Sequence, residues 1–125
     1  GVFVLDYAPN CTADLIDQKA EKFFRIIREE HPDVPVIIVE PPYYPYEDFA
    51  RKVYEDFAQR LQSQRSLYKK LKKSDEKKLF YIKSDQLLKG NKDATIDGVH
   101  YTDLGSVIHA EAIVPVIRRA LRMTK

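Results

Sequence analysis

The chain of 125 residues has one cysteine, no tryptophan and four glycines. The lone Cys11 excludes a disulfide within the chain and leaves the redox compartment unread. No apolar run approaches the roughly 20 residues of a membrane span. Excess charge is missing too. The formal net charge is +2, too small to argue for nucleic acid or a membrane surface. A signal-peptide pattern is also missing. The chain instead opens directly on the strand-like "GVFVLD", so Gly1 is expected to be the start of a fragment. What is present is 44% hydrophobic and 32% charged residues, the balance of one globular domain with a modest core.

Val2 to Leu5 is a short apolar run with β-branched and aromatic residues, and reads as a buried strand. Leu15, Ile16, Ala20, Phe23, Phe24 and Ile27 then recur at helical spacing, with Thr12 as the N-cap. His31-Pro32 ends that helix. Val36 to Val39 is a second buried strand. The proline-tyrosine loop "PPYYPYED" leads into a helix from about Asp48 to Lys72. "KKLFYIKS" is a third strand. The polar stretch "DQLLKGNKDATIDGVHY" reads as a loop, and a last helix runs from Asp103 to about Arg122. Strands alternate with helices, and the strands are unbroken apolar runs. That pattern predicts an α/β fold of three layers, a parallel sheet covered on both faces. Three strands make a thin sheet, so further strands are expected before Gly1. Residues 1–125 are read as a single domain.

In an open parallel sheet, ligands bind beyond the carboxyl ends of the strands. "DYAPN", "EPPYYPY" and the stretch carrying Asp97 and His100 all follow strands. The topology therefore gathers Asn10, the tyrosines and the Asp-His pair at one edge. A histidine acts as a general base when a carboxylate fixes its tautomer. Asp97 can do this for His100, with Gly98 supplying backbone freedom between them. Asn10 can donate its amide to an oxyanion. Ordinary alternatives stand beside these roles: a turn at Asp97-Gly98, a satisfied histidine, and a turn asparagine after Pro9.

"ATIDGVHYTDLGSVIHAEAIVPVIR" resembles the last conserved block of the SGNH, or GDSL-type, hydrolases. "VFVLDYAPNCTADLI" and "VPVIIVEPPYY" resemble the third block of that family and the strand after it. The resemblance implies a flavodoxin-like hydrolase fold and a Ser-His-Asp triad that cleaves carboxylesters or carbohydrate esters. His100 would be the base, Asp97 its orienting carboxylate and Asn10 an oxyanion donor. The Gly-x-Asn-Asp form of the third block is altered, with Ala8 and Cys11 in place of its glycine and its last aspartate. The Gly-Asp-Ser block and the block with the oxyanion glycine do not occur. These residues then correspond to the C-terminal part of such a domain, with the nucleophile expected upstream and the chain alone inactive.

Other serines fit the nucleophile poorly. Ser63, Ser66 and Ser74 read as surface residues on or after the long helix. Ser84 follows the third strand and Ser106 falls in a helix's first turn, and neither has a strand-to-helix elbow. Cys11 near a helix N-terminus is an alternative nucleophile, although a lone cysteine is commonly a small packed residue. Tyr43, Tyr44 and Tyr46 either flank an acyl or sugar group or stiffen a proline turn. Glu40 has no second metal ligand at useful spacing. His31 is assigned to a helix C-terminus, and His109, with no paired carboxylate, to a structural role. Between Arg60 and Lys83, only Asp75 and Glu76 oppose nine basic residues. That stretch reads as a solvated helix end, and nucleic acid is not expected. The alternative to the esterase is a non-catalytic α/β module, or a degenerate hydrolase, that binds through this stretch. A small-molecule ester is the expected partner, and neither a cofactor nor a metal is called for.

Overall fold

The computed structural model describes residues 1–43, 51–97 and 100–123, excepting the side chains of 51–54. Its strands are β1 (Phe3–Leu5), β2 (Val36–Val39) and β3 (Leu79–Ile82). Its helices are α1 (Ala13–Glu30), α2 (Arg51–Lys73), α3 (Ser84–Leu87) and α4 (Asp103–Arg122). The three strands form one parallel sheet in the order β1-β2-β3. Phe3 stands beside Val36, and Val36 beside Leu79.

The unbroken apolar strand is the central one. Val36, Ile37, Ile38 and Val39 are all fully buried, because helices cover both faces of the sheet. On one face Leu5, Val36, Ile38 and Leu79 meet Ile16, Ala20 and Phe24 of α1 and Leu67 and Leu71 of α2. On the other, Ile37, Val39, Phe80 and Ile82 meet Leu87, Ala120 and the half-buried Ile113, Val116 and Ile117. Burying each large aliphatic side chain contributes about 2 kcal/mol against unfolding.

Thr12 caps α1 by accepting the Leu15 amide at 3.2 Å, a contact that contributes about 1 kcal/mol. The helix closes at His31, where the Arg28 guanidinium donates to the carbonyls of His31, Pro32 and Val34. Arg28 Nε also reaches Glu76 at 3.1 Å, tying the end of α1 to the turn before β3.

Two expectations change. The stretch from Asp85 to Tyr101, read as a plain loop, contains most of α3 and a 3-10 turn at Lys92–Ala94. Ser63, read as a surface residue, is buried on α2, since that face of the helix packs inward. The basic stretch also gains partners from distant elements. Arg65 pairs with Glu40, Lys70 with Glu21 and Lys78 with Asp33. Those lysine contacts hold the Glu21 and Asp33 carboxyls below their usual range. The expected helix start at Asp48 lies outside the described residues.

Candidate active site

Because the strands are parallel, the segments after β1, β2 and β3 leave the same edge of the sheet. The segment after β3 carries the Asp-His pair, and short-range hydrogen bonds shape it. Asn91 Oδ1 accepts the Asp93 amide at 2.9 Å and starts the 3-10 turn. Thr95 and Tyr101 then form an antiparallel bridge, with the Ile96 amide on the His100 carbonyl at 2.9 Å. This bridge brings Ile96 and His100 side by side. Gly98 and Val99 lie outside the described residues.

Asp97 engages His100 twice. Its Oδ1 accepts the His100 backbone amide at 2.8 Å, and its Oδ2 stands 2.6 Å from Nδ1 of the ring. One carboxylate thus fixes both the backbone and the ring. With a proton on Nδ1 this contact is a hydrogen bond to the carboxylate, and in the neutral ring the lone pair then sits on Nε2. The His100 side chain is 77% exposed.

Thr102 joins this loop to α4. Its amide donates to the Ala94 carbonyl at 3.0 Å and its hydroxyl to the Asp93 carbonyl at 2.8 Å. The same hydroxyl accepts the Gly105 amide at 3.1 Å, capping the helix. Gly105 passes so close to Ala94 that a Cβ there would fall 1.9 Å from the Ala94 oxygen. The glycine of the motif is therefore needed for contact, not for flexibility.

Sequence reasoning left His109 without a carboxylate. The fold supplies one, because α4 runs past the end of β1: His109 Nε2 lies 3.6 Å from Asp6 Oδ2. Its Nδ1 lies 3.0 Å from the Tyr101 hydroxyl. Asp6, His109 and Tyr101 thus link the end of β1 to the residue beside His100. Asp6 stands at the end of an apolar strand, a signal available in the sequence, but its partner 103 positions later had none.

Asn10 ends a 3-10 turn at Ala8–Asn10 and is exposed. It lines a cleft of about 350 Å³ with Pro9, Cys11, Thr12, Asp56 and Arg60. Arg60 steadies this turn by donating to the Pro9 carbonyl at 3.0 Å. Among the described residues, no hydrogen bond joins Asn10 to the Asp97–His100 pair. Cys11 is half-buried against the core beside Tyr7.

Glu40, at the end of β2, is fully buried and saturated with donors. It accepts Arg65 Nε at 2.8 Å, Arg65 Nη2 at 3.2 Å, the Tyr81 hydroxyl at 2.8 Å and the Ser84 amide at 2.6 Å. Burial and the neighbouring carboxylate push the Tyr81 phenol far above its usual range. Among the described residues, no group of three or more His, Cys, Asp or Glu side chains is placed to hold a metal ion. Tyr43 lines a second cleft together with Phe57, Arg65 and Ser84. Tyr44 and Tyr46 lie outside the described residues. Ser66 and Ser106 are exposed; Ser74 closes α2 through the Leu71 carbonyl at 2.8 Å.

Residues 1–118 match the family model of the GDSL-like lipase/acylhydrolase family. Among solved structures, a protein described as a GDSL-like lipase from Bacteroides ovatus is 29% identical, with a TM-score of 0.88. The match covers 97% of this chain and 36% of that one. A salicylyl-acyltransferase from a tetracycline biosynthetic pathway matches 86% of the chain and 32% of its own, at 17% identity and a TM-score of 0.67. A protein described as a platelet activating factor from Streptococcus pneumonia matches 90% of the chain and 55% of its own, at 16% identity and a TM-score of 0.63. The last two likenesses show the fold alone. No curated protein matches the chain. The chain spans about a third of the first two of these structures.

Proposed function

The chain belongs to the GDSL-like lipase/acylhydrolase family, and from that premise we propose that it supplies the base and acid of a Ser-His-Asp triad in an ester hydrolase. The observation that carries this reading is the double hold of Asp97 on His100, at 2.8 Å to the backbone and 2.6 Å to the ring. A turn aspartate needs only the first contact. The second sets the tautomer that a general base requires.

In this reading a serine from a segment outside these residues gives its hydroxyl proton to His100 Nε2 as its oxygen bonds to the ester carbonyl carbon. The tetrahedral oxyanion takes a hydrogen bond from Asn10. The ester C–O bond then breaks, and the leaving alcohol takes the proton from Nε2. Water repeats the sequence on the acyl-enzyme and frees the acid. Asp97 stays ionised and stabilises the imidazolium at each step. Carboxylesters and carbohydrate esters are the substrate classes the reading covers.

The uncovered apolar residues Val4 of β1 and Leu15 and Phe23 of α1 support a wider sheet beyond β1. The alternative of a binding module built on the basic stretch is weakened by the carboxylates that Arg65, Lys70 and Lys78 find.

The test is His100→Ala in the protein that carries this chain, with p-nitrophenyl acetate as substrate. Turnover is expected to fall roughly 10⁴-fold or more. Retained turnover would remove His100 from the chemistry.

A further inference from the structure

We propose that the cleft lined by Tyr43, Phe57, Leu61, Arg65, Ser84 and Lys89 holds a neutral sugar ring, the part of an ester substrate remote from the bond that breaks. This deepens the ester-hydrolase reading and rests on it for the word substrate, but the binding itself does not.

The cleft encloses about 470 Å³, within the usual size of small-molecule sites. It lies between the segments that follow β2 and β3, at the sheet edge where such folds bind ligands. From Gly90 the chain runs through the turn at Lys92–Ala94 directly into the loop of Asp97 and His100.

Arg65 is the preorganised group. Two of its nitrogens are fixed on the buried Glu40, which Tyr81 and the Ser84 amide hold in turn. Tyr81 is itself stacked on Tyr68, with ring centroids 4.1 Å apart. The Arg65 side chain is 51% exposed, and its Nη1 is left over from the pair with Glu40. Glu40 fixes the plane of the guanidinium, so a ligand meets a donor already in place. The Ser84 hydroxyl beside it is buried and finds no hydrogen-bond partner among the described residues.

Charge selects the ligand. Among the described residues, Arg65 is paired with the buried Glu40 behind the wall and Lys89 stands 3.5 Å from Glu111, while Asp85 adds a carboxylate to the lining, so each cation of the wall already has its counter-charge. A carboxylate or phosphate gains little from such a wall. A plain acyl chain would strip water from Arg65, Asp85 and Lys89 and return no hydrogen bond. The other wall is apolar: the Tyr43 and Phe57 rings meet edge to face at 5.8 Å, next to Leu61. An aromatic wall facing donors and acceptors of balanced charge complements a pyranose, with its C–H face and its rim of hydroxyls.

The rim carries strain as well. Lys89 has φ 53° and Gly90 φ 69°. A lysine in the left-handed region is uncommon, and such residues concentrate where ligands are clamped.

The experiment is an amide NMR titration of the protein with the methyl glycosides of glucose, galactose and xylose, beside sodium benzoate and hexanoate. At least one glycoside is expected to shift the Ser84, Lys89 and Gly90 amides saturably, while benzoate and hexanoate do not. Asp85→Asn, an exposed change that leaves the Glu40 cluster intact, is expected to weaken glycoside binding at least tenfold. No saturable shift with any glycoside overturns the proposal, and so does preferential binding of benzoate or hexanoate. The readout needs no turnover. Glycoside binding by a protein without esterase activity sinks the hydrolase reading alone; ester turnover without glycoside binding sinks this one alone.

Discussion

The Tyr101 hydroxyl lies 3.0 Å from His109 Nδ1, and the two rings meet at 4.9 Å. With Asp6 on the far nitrogen of His109, this contact braces the residue next to His100 against α4 and the end of β1. His109→Ala removes the brace and leaves Asp97 and His100 in place. The expected result is a fall in kcat of roughly tenfold, the equivalent of one lost hydrogen bond, with KM little changed. His109→Gln, which keeps an amide near Tyr101, should recover part of the loss. Steady-state kinetics on both variants decides it. Equal kcat in all three proteins would leave His109 a mere packing residue.

Gly105 faces the Ala94 carbonyl at a distance that admits no side chain. Gly105→Ala must push the first turn of α4 away from the turn that supports the Asp-His loop. The expected cost is about 3 kcal/mol, read as a drop in the urea midpoint with an unchanged slope. Helix propensity alone argues the other way, since alanine is favoured over glycine within a helix by about 1 kcal/mol. A stabilised variant would show that the close approach is absent in solution.

Tyr7 sits against the core with its hydroxyl donating to Gln64 at 3.1 Å. Burial pushes its phenol from 10.0 up to about 12. The folded state therefore holds this proton more tightly than the unfolded chain does. The resulting stability is complete below about pH 10 and is lost as pH rises through about 12. Tyr81 acts in the same direction. Urea unfolding at stepped alkaline pH is expected to show a steep decline in that window. Tyr7→Phe, having no proton to lose there, should decline less steeply. Parallel curves for the two proteins would contradict the assignment.

Local features carried the fold in the sequence. The apolar run Val36–Val39 could only be a strand buried on both faces, and Thr12 ahead of a helical pattern could act as its cap. Asp97 and His100 stand three residues apart, so their pairing is a local event that sequence spacing can suggest. The Glu40 cluster was not legible in this way. Its partners Arg65, Tyr81 and Ser84 come from three later elements, and only the sheet order brings them together. A charged residue closing "VIIV" was the one sign of it, and its spacing offered no second ligand that would make it a metal site. The carboxylates that answer part of the basic stretch were hidden for the same reason. Glu21, Asp33 and Glu40 are far away in the chain and adjacent in space.

The most direct measurement of the central claim is the hydrolysis of an activated ester by Asp97→Asn beside the unchanged protein. Asparagine keeps the shape of the loop and can still accept the His100 backbone amide, but it loses the charge that stabilises the imidazolium and sets the tautomer. The account predicts a fall in kcat of roughly 10² to 10⁴-fold with KM nearly constant and folding stability within about 1 kcal/mol. An unchanged kcat would contradict it, and would make the Asp97–His100 pair a loop brace and nothing more.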